Sequence, residues 1–225
     1  MAYTLSNLIT AARQKADMIN STFIEDPEWT DYINNSYAEL YDLLVSRFED
    51  YYSKALIFTV SSGSLSYALP SDFYKFRGLD FNLAGNDYIT VRKFNFEERN
   101  KINRVLTRGL RGVSDRQYRI MGQNILFYPV DKAPGTYRMW YIPRFTPLIN
   151  STDVLGDVMD FQEYITTDVA IKAMMKEESD VSALRLHKEQ LKQRIEAMAS
   201  NRDTQPDRIS DITLYTDADW IIPRG

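Results

Sequence analysis

Apolar residues recur every three or four positions towards both ends of the chain, which is the spacing of one face of an α-helix. Four helices are predicted on this basis, over residues 4–19, 27–50, 161–178 and 181–200. Asp26 is placed to cap the second helix, and Pro27 to fill its first position, where a missing N–H costs nothing. Asp160 and Asp180 are predicted to cap the third and fourth helices. The apolar stripe of the second helix comprises Ile33, Tyr37, Leu40, Leu44 and Phe48.

The central part of the chain has the β-branched and alternating pattern of strands. Strands are predicted at 55–60, 65–68, 74–81, 88–94, 118–121, 125–130 and 137–142, with a short helix at 95–105. The turn at 61–64 predicts a hairpin between the first two strands. Segregation of helices and strands along the chain indicates an α+β fold rather than α/β.

This order predicts a four-helix platform built from both termini, an inserted antiparallel β-domain and an extended C-terminal arm. The predicted boundaries are 1–53 plus 155–200 for the helical core, 54–154 for the β-rich insertion and 201–225 for the arm. If the terminal helices pack together, one set of side chains forms their shared core: Ile33, Leu40, Leu44, Ile171, Leu191 and Ile195.

The composition removes several classes of chemistry. The chain has no cysteine, which excludes disulfides, thiolate metal sites and cysteine nucleophiles. Its single histidine, His187, lies in a charged helical stretch and is interpreted as an exposed helix residue rather than a general base. No nucleotide-binding motif, catalytic constellation, metal site or cofactor site is recognisable. No apolar run reaches the ~20 residues of a membrane span, and no secretory signal is visible.

Charge is unevenly spread, although the formal net charge is only −4. Seven basic residues lie between positions 99 and 119 with Asp115 as their only acidic neighbour: Arg99, Lys101, Arg104, Arg108, Arg111, Arg116 and Arg119. This basic cluster could meet nucleic-acid phosphates, an acidic neighbouring subunit, or solvent alone.

The predicted arm, residues 201–225, has no helical or alternating period, yet it is rich in large apolar side chains. Those proposed to dock on a partner are Ile212, Leu214, Tyr215, Trp220, Ile221 and Ile222. An exposed apolar terminus favours docking on another chain, or folding back onto its own domain.

Several segments together resemble a known family. They include Leu5–Ile9, the turn Tyr67-Ala68-Leu69-Pro70-Ser71-Asp72-Phe73, the run Leu126-Phe127-Tyr128-Pro129, and Tyr137–Pro143. The chain resembles, over about residues 5–200, the head–tail adaptor (connector or neck) proteins of tailed bacteriophages.

The resemblance implies a structural, non-enzymatic virion protein that forms a homo-oligomeric ring, commonly a dodecamer, below the portal protein. It also implies contacts with tail or neck proteins, passage of double-stranded DNA, assembly in the host cytoplasm and no membrane association. In such adaptors a C-terminal segment often reaches the portal. Two alternatives stay open: a soluble nucleic-acid-binding or regulatory protein using residues 99–119, and a hydrolase without a recognisable motif.

Overall fold

The computed structural model describes residues 3–98, 116–129, 133–156 and 158–202. The described helices are α1 (Leu5–Lys15), α2 (Asp26–Arg47), α3 (Gln162–Lys176) and α4 (Ser182–Arg202). The described strands are β1 (Lys54–Val60), β2 (Ser66–Ala68), β3 (Phe73–Ala84), β4 (Asp87–Thr90), β5 (Arg92–Lys93), β6 (Gln117–Met121), β7 (Asn124–Tyr128) and β8 (Gly135–Pro143). This arrangement confirms the α+β class.

The helical stripe was predicted correctly, but two of the predicted caps were wrong. All five stripe residues of α2 are buried, and Leu40 and Leu44 are fully so. Asp26 lies inside the first turn instead of capping it, because the helix begins one residue earlier, and its carboxylate pairs with Arg13 at 2.7 Å. Asp160 has a positive φ and makes no cap, since Phe161 occupies the N-cap position of α3. Asp180 accepts the backbone N–H of Ser182 at 3.0 Å.

The strands form two four-stranded sheets in the described part of the chain, ordered β1-β8-β3-β4 and β2-β7-β6-β5. The predicted hairpin of β1 with β2 is therefore wrong, since β1 pairs with β8 and β2 with β7. The chain crosses between the sheets through a turn at Gly63, whose φ is +82°. Phe58 of β1 and Tyr67 of β2 face each other across the interior, and their rings stack with centroids 3.9 Å apart.

Pairing within the sheets is antiparallel, except that β5 runs parallel to β6. The predicted antiparallel region is thus correct for its longer strands. Only the 3-10 turn Phe96–Glu98 is described within the predicted helix at 95–105, whose other end lies outside the described residues.

Buried side chains among the described residues form two hydrophobic clusters. One joins the four described helices and includes five of the six core residues predicted from the sequence: Ile33, Leu40, Leu44, Leu191 and Ile195. The sixth, Ile171, is buried but is not part of this cluster. Helix α3 packs against α1, α2 and α4. The other lies between the two sheets and is centred on Tyr137, Phe127 and Leu79. Ile142, near the end of β8, belongs to the helical cluster, so this strand connects both cores. The domain boundaries stay a prediction.

Candidate interaction surfaces

Strand β8 separates an apolar interior from a polar and aromatic exterior. Tyr137, Met139 and Tyr141 point inward and are buried, so Arg138 and Trp140 alternate onto the opposite face. We call this side of the sheet the outer face, defined by Ile57, Asp80, Tyr88, Thr90, Arg138 and Trp140. Ile57, opposite Arg138 on β1, is 60% exposed.

A single carboxylate organises the outer face. Asp80 Oδ2 accepts hydrogen bonds from Arg138 Nη2 at 3.1 Å and from Trp140 Nε1 at 2.8 Å. The guanidinium of Arg138 also lies 3.8 Å from the ring centroid of Tyr88 and 5.0 Å from that of Trp140. Arg138 and Trp140 are therefore held in place before any partner arrives. Tyr, Trp and Arg are the side chains enriched at the energetic centres of protein interfaces.

A second surface is a cleft where the helices meet the sheets. We call it the junction cleft, and its lining residues are Ala38, Tyr41, Asp42, Tyr74, Arg144, Phe145 and Pro147. Its volume is about 540 Å³. Helix α2 supplies one wall, the start of β3 another, and the segment after β8 the third, so the cleft exists only because three distant segments converge.

Hydrogen bonds fix the walls of the junction cleft. Tyr41 donates to the carbonyl of Pro143 at 2.7 Å, and Tyr74 donates to Asp42 at 2.7 Å. Arg144 Nε donates to the carbonyl of Phe73 at 3.1 Å, which leaves other guanidinium N–H groups at the exposed rim. Burial raises the pKa of Tyr41 to about 12, and the hydrogen bond to Asp42 raises the pKa of Tyr74. Both phenols therefore stay protonated near neutral pH.

The helical core contains a network of charges around Asp168, whose side chain is 5% exposed. Its carboxylate meets Lys172 Nζ at 2.6 Å, Lys188 Nζ at 2.8 Å and Ser36 Oγ at 2.7 Å. Lys188 also reaches Glu39 at 2.7 Å. We call these five residues the core network, and they join α2, α3 and α4.

Opposite charges stabilise one another within the core network. Burial disfavours the charge on Asp168, but hydrogen bonds from Lys172, Lys188 and Ser36 outweigh it, so the pKa of Asp168 is lowered. Although burial disfavours the charge on Lys188, its hydrogen bonds to Asp168 and Glu39 raise its pKa. Two donors contact Oδ2 of Asp168 and one contacts Oδ1, and they come from all three helices. The network therefore acts as a polar link between the three helices.

The basic cluster predicted from the sequence lies mostly outside the described residues, which exclude Arg99, Lys101, Arg104, Arg108 and Arg111. Two members at its end are described. The guanidinium of Arg116 lies 3.7 Å from the ring centroid of Phe81, and Arg119 donates to the carbonyl of Phe94 at 3.2 Å. These two arginines thus have contacts within the β-region.

The predicted docking residues of the arm also lie outside the described residues: Ile212, Leu214, Tyr215, Trp220, Ile221 and Ile222. His187 is half-buried on α4, and its Nε2 lies 3.1 Å from Glu163. Sequence alone did not reveal this carboxylate partner, because it lies on α3. The hydrogen bond from His187 lowers the pKa of Glu163.

Across the described ranges, no group of three or more His, Cys, Asp or Glu residues could hold a metal ion. None of the described helices is long and apolar enough to cross a membrane.

The sequence matches the profile of one family, the SU10 adaptor protein family, over residues 3–211 of 225. The chain belongs to the SU10 adaptor protein family. Among curated proteins, none matches this sequence significantly. The SU10 adaptors are bacteriophage head–tail adaptors, so the expected family is confirmed. Membership gives the chain a structural role in the virion neck, with oligomerisation and contacts to portal and tail proteins.

The exposed surfaces are the part that sequence reasoning did not find. In the strand predicted at 137–142, alternation puts Arg138 and Trp140 on the same face. Their partner Asp80 could not be read from that pattern, because it lies 58 residues earlier in the chain.

Proposed function

We propose that copies of this chain form a ring below the portal protein, connect the capsid to the tail and let double-stranded DNA pass through the ring. The observation that carries the proposal is the match to the adaptor family across nearly the whole chain. By the resemblance to neck proteins, the proposed ring is a dodecamer assembled in the host cytoplasm.

The described surfaces support a ring of identical subunits. A closed ring needs two different, complementary patches on each subunit, because every contact is head to tail. The outer face and the junction cleft are two different patches on each subunit, and they differ in chemistry. The outer face presents Arg138 and Trp140, both hydrogen-bonded to Asp80. The junction cleft is a concave aromatic site with charged residues at its rim.

The arm and the basic cluster have separate proposed roles. Residues 201–225 dock on the portal protein or on an adjacent adaptor subunit, with Trp220 as the anchor. Trp and Tyr dominate binding energy at interfaces, which favours this choice. The basic cluster contacts either the DNA in the channel or an acidic neighbouring subunit.

Assembly on the portal tests the proposed function directly. We expect the full chain, measured by light scattering after size-exclusion chromatography, to form a large ring alone or to assemble as one on purified portal protein. A variant ending at Arg202 should keep its far-UV circular dichroism and melting transition but fail to join heads to tails. A full chain that stays monomeric and does not bind the portal would contradict the proposal.

The role of the basic cluster is tested by changing Arg104, Arg108 and Arg111 together to Gln. If these residues contact channel DNA, the variant should fold normally but retain or eject DNA poorly. Any measured DNA binding should fall steeply with salt, with a slope of log K against log[salt] of about −0.9 for each phosphate that the protein neutralises.

A matched control removes three positive charges from the exposed surface of α4: Arg185, Lys192 and Arg194. We expect this control to leave DNA retention unchanged. If both triple variants behave alike, or if DNA binding does not respond to salt, the cluster does not contact DNA. Impaired association between subunits, with normal DNA handling, would assign the cluster to the neighbouring subunit.

A further inference from the structure

We propose that the junction cleft of one copy binds residues 217–224 in the C-terminal arm of a neighbouring copy. The inference rests on the proposed function, because only a ring brings a neighbouring copy close. The chemistry of the cleft determines which segment of the arm it binds. The proposed function left two docking partners for the arm, the portal protein and an adjacent subunit. This inference chooses the adjacent subunit and names the site that binds the arm.

The cleft suits an indole ring. Its volume of about 540 Å³ falls within the ~300–1,000 Å³ of sites that enclose small ligands. Tyr41 and Phe145 form an aromatic interior with ring centroids 6.1 Å apart, and Tyr74 stands at 6.3 Å from Tyr41. Aromatic rings that approach edge-on or tilted attract a further ring at similar distances.

The rim adds a pattern of charge. Asp42 and Arg144 both line the cleft and are exposed, so it presents one negative and one positive group beside an aromatic interior. Tyr74 binds one oxygen of Asp42, and Arg144 uses Nε for the backbone of Phe73. These bonds hold both charged groups in position. The second carboxylate oxygen of Asp42 and the Nη groups of Arg144 are the atoms proposed to contact a ligand.

The end of the arm carries the complementary sequence. Asp217 and Asp219 precede Trp220, and Arg224 follows Ile221, Ile222 and Pro223. In an extended peptide, Asp219 could pair with Arg144 while Arg224 pairs with Asp42, with Trp220 seated between them. Pro223 favours an extended path at that point.

The position of α4 gives the arm its starting point. Glu196, near the end of α4, pairs with Arg47 at the end of α2 at 2.9 Å. Asp42 lies five residues before Arg47, or about 7.5 Å along the helix. Glu196 thus lies near the cleft of its own chain, and the 18 residues from Arg202 to Trp220 can span up to ~60 Å. That length lets the arm reach past its own subunit to the cleft of the next copy in the proposed ring.

One arm and one cleft per copy also satisfy the geometry of a ring. Each arm leaves its subunit in the same direction, and each cleft is filled once, so no site is left empty after closure. The contact would add to any contact between the globular parts.

Because the sequence has no cysteine, a disulfide can form only between cysteines that are introduced. Two full-length single-cysteine variants, Ala218→Cys in the arm and Ala38→Cys in the cleft, carry tags of different size. They are mixed and oxidised, with and without purified portal protein. We expect a mixed disulfide dimer at about tenfold or more the yield of a control pair that replaces Ala38→Cys by Ala183→Cys, which is exposed on α4.

Two further changes test the recognition itself. Trp220→Ala in the arm variant should reduce the mixed crosslink about tenfold or more. Arg144→Asp in the cleft variant should also reduce it, and Asp219→Arg in the arm should restore it. Restoration by the charge swap would show that the cleft variant is folded and that the two residues meet.

Several results would overturn the proposal. They are equal crosslinking to the control pair, no mixed crosslink with or without portal, or no response to the charge swap. A monomeric intramolecular disulfide in a chain carrying both cysteines, without any mixed dimer, would instead place the arm in its own cleft. Rings that still form on the portal in these cases would leave the proposed function intact.

Discussion

Replacing Asp168 by alanine is expected to lower the free energy of unfolding by about 1–3 kcal/mol, since it removes charged hydrogen bonds whose lysine donors are only partly exposed. The change leaves Lys172 and Lys188 without the carboxylate that both contact, while Ser36 keeps the carbonyl of Tyr32 as its acceptor. Glu39 still contacts Lys188. Denaturant unfolding followed by circular dichroism measures the difference.

The same residue predicts an acid dependence with a definite sign. Because the pKa of Asp168 is lowered in the folded protein, its ionised form stabilises the fold above the unfolded carboxyl pKa of about 3.9. That stabilisation is lost as the pH falls below this value through the lower folded pKa. The unfolding free energy of the wild type should therefore drop more steeply below about pH 4 than that of Asp168→Ala.

Asp31→Ala provides the matched control, since Asp31 is an exposed carboxylate on α2. This control should change stability by no more than about 0.5 kcal/mol. If Asp168→Ala is as mild as the control, the core network does not stabilise the helices and was misinterpreted. An identical acid profile for wild type and Asp168→Ala would contradict the assigned direction of the pKa.

The helical half of the fold could be predicted because burial there repeats along the sequence. A residue such as Leu40 or Ile195 shows its orientation through neighbours three and four positions away, which are visible in the sequence itself. Helix caps depend on the backbone at a single residue. The sequence therefore offered Asp26 and Asp160 as plausible caps, although the helices begin at other positions.

Strand pairing was less accessible, since alternation identifies a strand but not its partner. Short sequence separation favoured the hairpin of β1 with β2, yet β1 pairs with β8 some 80 residues away in the chain. Packing between the sheets explains the difference. Phe58 of β1 is buried against Tyr67 of β2 and Tyr137 of β8, so β1 and β2 lie on opposite sides of one core.

The interaction surfaces were the least predictable feature for the same reason. The junction cleft combines Tyr41, Tyr74 and Arg144 from three segments, and the outer face depends on the register that sets Asp80 opposite Arg138. The sequence directed attention to the basic cluster and the arm, which stay predictions. The core network was also invisible, because Ser36 and Asp168 are 132 residues apart.

Replacing Leu40 by alanine is expected to lower the free energy of unfolding by about 2–5 kcal/mol. Leu40 is fully buried in the middle of α2, on the stripe that packs into the shared helical cluster. Removing its side chain takes away buried apolar surface and leaves a cavity that the surrounding helices fill only in part. The midpoint of urea unfolding should therefore fall while the dependence on denaturant, which follows the exposed surface, stays the same.

Leu186→Ala on α4 is the control for this experiment, since Leu186 is 64% exposed and the chemical change is identical. We expect the control to alter stability by no more than about 0.5 kcal/mol. The comparison separates the cost of a cavity from the small change in helix propensity that both variants share. Equal, small effects at the two positions would mean that the α2 stripe does not form the packed core. Other contacts would then have to hold the four helices together.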